Sequence, residues 1–143
     1  MKDAASFFKV LADEARLKML WLLFNKRELC VCDFIEVLEI TQSKASRHLR
    51  VLYNAGLVID RKEGLWSYYA LCPIEDELVR AHMETLRSRL KGRPDSEHLL
   101  RKLRDWLKVK NRGVTCAGIG ARPSATKKTT AARPAAAMKG GNR

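Results

Sequence analysis

Two cysteines separated by one residue, Cys30 and Cys32, are the side chains of this 143-residue sequence best suited to chemistry. Thiolates are soft ligands and select soft acceptors: trivalent arsenic and antimony, cadmium, lead, mercury and zinc. On an ideal helix, residues i and i+2 lie roughly 200° apart. Both sulfurs therefore face one small ion only if the pair lies in the non-helical entry to a helix, or if ligation unwinds that turn. A second set of residues suits a different partner. Gln42, Ser43, Lys44, Ser46, Arg47 and Arg50 lie together on one side of a helical stretch, and small polar and basic side chains on an exposed helix face fit the major groove of DNA. Arg61 and Lys62 stand beside a turn at Glu63-Gly64, where a hairpin would meet a phosphate or the minor groove. Taken alone, such charges describe any solvated helix face. The order of the surrounding elements decides in favour of DNA.

A first helix is expected over residues 6–12, with Phe7, Phe8, Val10 and Leu11 apolar. Asp13 is a good N-cap for a second helix, whose Leu17, Leu20, Trp21 and Phe24 recur at helical period. A break over residues 25–29 precedes a short third helix at about 32–39. Thr41 then caps a fourth, about 42–54, which turns Ala45, Leu49 and Leu52 inward. Gly56 suits the left-handed residue that ends such a helix. Strands are expected at 57–60 and 65–71, joined by Glu63-Gly64. A long helix over 75–91 and a last one from Asp95 or Ser96 to about 108 complete the folded part. Helix, helix, short helix, brief turn, helix and hairpin is the order of a winged helix-turn-helix. The expected fold is thus mainly α with a two-stranded wing, occupying residues 1–110 as one DNA-binding and dimerisation domain. His48, between Arg47 and Leu49, fits a packing and hydrogen-bonding residue better than a base contact.

Charge divides the chain. The whole carries a net +12. Residues 1–110 hold 21 basic and 16 acidic residues, whereas residues 111–143 hold seven basic and no acidic ones, with eight Ala, five Gly and no aromatic residue. That composition cannot bury enough apolar surface to offset its ordering entropy, so 111–143 is expected to be a disordered basic tail. The longest apolar stretch, residues 19–24, is far too short for a membrane span, and Asp3, Lys9, Asp13 and Glu14 interrupt any leader-like segment. A cytoplasmic location with reduced thiols is expected. Enzyme chemistry is disfavoured: no C-x-x-C precedes a βαβ pattern, no Gly-rich loop would cradle phosphate, and no His/Asp partner is expected near Cys30. No enzymatic cofactor is expected.

Residues 8–71 resemble the ArsR/SmtB family of metalloregulatory repressors. The resemblance is carried by Leu11-Ala12-Asp13-Glu14-Ala15-Arg16-Leu17, by Ser43-Lys44-Ala45-Ser46-Arg47-His48-Leu49, by Gly56-Leu57-Val58 with Arg61, Gly64, Tyr69 and Leu71, and most specifically by Glu28-Leu29-Cys30-Val31-Cys32-Asp33. It implies a homodimer paired through the first and post-wing helices, bound to double-stranded operator DNA and released when As(III) or Sb(III) binds Cys30 and Cys32. Arsenic-responsive members often carry a third Cys where this chain has Ile35. Cys116 in the tail, Cys72 after the second strand, or an exogenous thiol would have to serve. Cadmium and lead sensors of the family add N-terminal cysteines, and no Cys precedes Cys30. Its zinc sensors use a His- and carboxylate-rich post-wing helix, which here offers His82 with Asp76, Glu77 and Glu84 but no second His at its far end, where Arg89 and Leu90 stand. The alternatives are a cadmium/lead- or redox-responsive repressor of the same family, or a small thiol arsenate reductase.

Overall fold

A computed structural model describes residues 1–111. The elements are α1 (Lys2–Leu11), α2 (Glu14–Asn25), β1 (Leu29–Cys30), α3 (Val31–Leu38), α4 (Gln42–Asn54), β2 (Val58–Glu63), β3 (Trp66–Leu71), α5 (Glu77–Leu90) and α6 (Pro94–Asn111). Side-chain caps set several of the helix starts. The Asp13 carboxylate accepts from the Arg16 N–H at 3.2 Å, the Thr41 hydroxyl from the Lys44 N–H at 3.1 Å, and Asp76 from the Val79 N–H at 3.1 Å. Each satisfies one of the N–H groups that a helix start leaves unpaired. Pro94 occupies the first position of α6, where its missing N–H costs nothing. After α4 the chain turns through Gly56 at φ +76°, and its N–H reaches the Tyr53 carbonyl at 3.0 Å.

The core is one cluster. Met19, Leu20 and Leu22 of α2 meet Phe34 and Val37 of α3, Ala45, Leu49 and Leu52 of α4, and Leu57 and Val58 at the start of the wing. Leu99 and Leu103 of α6 close it from the far side. α4 thereby buries its apolar face, while Gln42, Ser43, Lys44, Ser46, Arg47 and Arg50 all remain exposed.

The structure adds one strand to the expected hairpin. β1 pairs antiparallel with β3, Leu29 opposite Tyr69 and Cys30 opposite Tyr68, giving a three-stranded sheet in the order β1-β3-β2. A two-residue strand has no alternation to betray it, and the ladder that defines it lies some 40 residues downstream. The hairpin is also longer than expected on its first arm, running to Glu63. The tail, with Cys116 and its seven basic residues, lies outside the described residues. Among the described residues no helix is long and apolar enough to cross a membrane.

Candidate thiolate site and nucleic-acid interface

Cys30 ends β1 in extended conformation (φ −85°, ψ 160°) and is the N-cap of α3, and Cys32 is the second residue of that helix. The pair therefore straddles the entry to α3, the first of the two geometries open to a C-x-C pair. Their Sγ atoms lie 2.6 Å apart, both residues being only 2% exposed. Cys30 caps the helix as a serine would: its Sγ accepts from the Cys32 N–H at 3.3 Å, while its own N–H donates to Asp33 Oδ2 at 2.8 Å. This reciprocal arrangement is a capping box.

Asp33 overturns the expectation that no Asp partner lies near Cys30, because the capping box folds its carboxylate back onto the Cys30 N–H. It is 2% exposed, and one ligand atom from each of Cys30, Cys32 and Asp33 falls within 4.8 Å of the others. Its second oxygen, Oδ1, accepts from Trp106 Nε1 and from Lys110 Nζ, each at 2.8 Å. The only hint in the sequence was the Cys-x-x-Asp spacing of a capping box. Trp66, Tyr68 and Trp106 pack around the two cysteines. Burial pushes the Cys30 thiol up, the Asp33 carboxylate adds to that, and the Lys110 ammonium opposes it. The donor set of two soft sulfurs and a nearby carboxylate suits a thiophilic ion. Cys72 is not brought to it. That residue lies past the end of β3, half-buried, with its N–H on the Leu57 carbonyl at 2.9 Å.

The groups expected to meet DNA divide into two kinds. Gln42, Ser43, Lys44, Ser46, Arg47 and Arg50 on α4 and Lys62 on the wing are exposed. Arg61 does not project freely. Its guanidinium donates to Glu28 at 2.5 and 3.2 Å and to Glu63 at 2.5 Å, and it lies 4.7 Å over the Tyr68 ring. Those carboxylates drive its pKa further up. Arg61 thus ties the wing to the residue that precedes the thiol strand. His48 turns inward, its Nδ1 accepting from Arg16 Nη1 at 3.1 Å with Asp13 4.0 Å away. On α5, His82 Nδ1 donates to the Leu78 carbonyl at 2.8 Å and its ring packs edge-on to Phe8. It belongs to no metal-ligand cluster among the described residues.

A short helix, a three-residue turn, a helix with an exposed basic face and a wing define a winged helix-turn-helix DNA-binding regulator, here with a buried cysteine pair at the head of its first motif helix. Comparison with known proteins agrees. The family model for bacterial regulatory proteins of the arsR family matches residues 13–60. The chain is 44% identical over 89 residues to the arsenical resistance operon repressor of Escherichia coli K12, covering 57% of this chain and 76% of that one. It is 43% identical over 82 residues to a cadmium resistance regulatory protein CadC homolog of Staphylococcus aureus, covering 57% and 65%. A homodimeric winged helix-turn-helix domain from Mycobacterium bovis, a possible ArsR-family regulator, superposes with a TM-score of 0.52 at 27% identity, over 65% of this chain and 82% of that one. The chain belongs to the ArsR family of bacterial regulatory proteins and is a DNA-binding transcriptional repressor of that family.

Proposed function

We propose that this repressor responds to arsenite or antimonite, binding operator DNA as a homodimer and leaving it when As(III) or Sb(III) bonds to Cys30 and Cys32. The observation that carries this is the meeting of two buried sulfurs, 2.6 Å apart, at the residue where β1 becomes α3. An arsenic atom inserted there must part the sulfurs and disturb the first turn of α3. That helix leads through Glu39, Ile40 and Thr41 into α4, so the displacement reaches Ser43, Lys44 and Arg47. Gln42, Ser46, Arg50 and Lys62 complete the DNA-facing set.

Cys116 is proposed as the third thiolate. Lys110, next to the last described residue, already reaches Asp33. Five extended residues span up to ~17 Å, enough to return to the box. Pairing through α1 and α5 is supported by Phe8 and Leu78, which remain 44% and 40% exposed on those helices, and by the homodimeric M. bovis domain. The protein needs no enzymatic cofactor and works in a reducing cytoplasm, where thiols persist. Identity to a cadmium resistance regulator supports a divalent-ion response as the second reading.

Fluorescence anisotropy on a palindromic operator duplex, with arsenite, antimonite, cadmium, lead and zinc titrated in parallel, tests this. Release by the trivalent ions at the lowest concentrations is expected. Release by cadmium or lead alone would replace the proposal with the second reading.

A further inference from the structure

α6 crosses α3 and is fastened to both of its ends. Lys102, Trp106 and Lys110 recur at i, i+4 and i+8 and so form one stripe along α6. Lys102 pairs with Glu39, the left-handed residue that ends α3 at φ 55°, and Trp106 and Lys110 both donate to Asp33 in its first turn. Farther back, Trp21 Nε1 donates to the Ser96 carbonyl at 2.9 Å and pins the start of α6 to α2.

We propose that the last two turns of α6 are part of the sensor, with Asp33 as the positioning residue that fastens them to the thiol pair until ligation at Cys30 and Cys32 loosens it. This rests on the arsenite response proposed above. In that step, with both cysteines reduced as the proposed function requires, each thiol proton leaves with an arsenite hydroxide as water, an As–O bond breaking as each As–S bond forms, with no change of oxidation state. The sulfurs must separate from 2.6 Å. Cys30 then moves, and its N–H is the donor to Asp33 Oδ2. Trp106, packed against the cysteine cluster, is displaced with it. Asp33 is too deeply buried for water to replace the donors it loses, so its three bonds break together rather than one at a time. Since the strap also holds Glu39, its release frees both ends of the helix that positions α4.

Linkage fixes the direction of the effect. If the fastened state is the one that binds DNA, weakening the strap favours the ligated state. Lys110→Met and Trp106→Phe in the full chain should lower the arsenite concentration for half-release by about 5-fold and weaken operator binding without inducer. Lys110→Arg should restore both. Hydrogen exchange of the wild-type chain on operator duplex reports the motion directly: amides of residues 104–111 should lose protection when arsenite is added. Unchanged or increased protection there, with DNA released normally, would overturn this inference alone. An unshifted arsenite midpoint in Lys110→Met would do the same, and that variant touches only a half-buried side chain. Failure of arsenite to release the wild-type protein would overturn the proposed function and this inference together.

Discussion

Cys30 stands directly opposite Tyr68 in the β1–β3 ladder. The thiol that caps α3 is therefore also a residue of the wing sheet, so Cys30 joins the helix that leads into α4 to the wing. Glu28, two residues earlier, reinforces the link through Arg61. On the proposed function, a perturbation at Cys30 and Cys32 has two routes onward, one through α3 into α4 and one through β3 into the wing.

Arg47 and Arg61 should behave differently toward salt. Arg47 is exposed on the polar face of α4, whereas the charge of Arg61 is shared between Glu28 and Glu63. Arg47→Ala should weaken operator binding and reduce the slope of log affinity against log salt by roughly 1. Arg61→Ala should leave that slope unchanged while altering the response to inducer. A salt titration of the two variants checks both, and an equal loss of slope would place Arg61 on a phosphate.

Acid should loosen the seat of α4 through His48. Burial holds its pKa below the ordinary imidazole value, with Asp13 opposing and the Arg16, Arg47 and Lys44 charges adding to the depression. The fold prefers the neutral ring, so that stabilisation is full above pH ~6.5 and is lost as pH falls through the lowered value. Burial pushes the Asp13 carboxyl up, but the Arg16 N–H bond and the His48 and Arg16 charges outweigh it and hold the carboxyl down. Its contribution is present above pH ~3.9 and disappears only below that. Between pH 7.5 and 5.5 the wild type should lose melting temperature, and His48→Gln should lose less. Equal losses would show that His48 is not the titrating group.

Leu49 is fully buried on the inner face of α4, beside Ala45 and Leu52. Leu49→Ala should cost about 2–5 kcal/mol, read as the urea midpoint of unfolding. A cost below about 1 kcal/mol would mean that α4 is not anchored through this residue.

Trivalent and divalent inducers should differ in protons. Arsenite brings hydroxides that carry off the thiol protons as water, whereas a divalent ion must expel those protons to solvent. Calorimetry in buffers of different ionisation enthalpy should find near-zero proton release for arsenite and about two protons for cadmium. Two protons released on arsenite binding would contradict a condensation that discharges water.

What the sequence disclosed and what it concealed follow from range. Leu17, Leu20, Trp21 and Phe24 repeat at helical period, and the α4 face could be read from spacing alone. Both are local facts. The role of Asp33 depends on Trp106 and Lys110, 73 and 77 residues away, and no periodicity reports a contact at that separation. Arg61 beside a turn looked like a free cation because Glu28 lies 33 residues upstream. Cys30 as an N-cap escaped notice because cysteine is not among the residues expected to cap a helix.

The central claim is that soft-ion ligation at one thiol pair controls DNA release. Operator anisotropy of Cys30→Ser/Cys32→Ser beside the wild type addresses it most directly. The variant should bind the duplex with wild-type affinity and stay bound at arsenite concentrations that release the wild type. Normal release of the doubly substituted protein would contradict the claim.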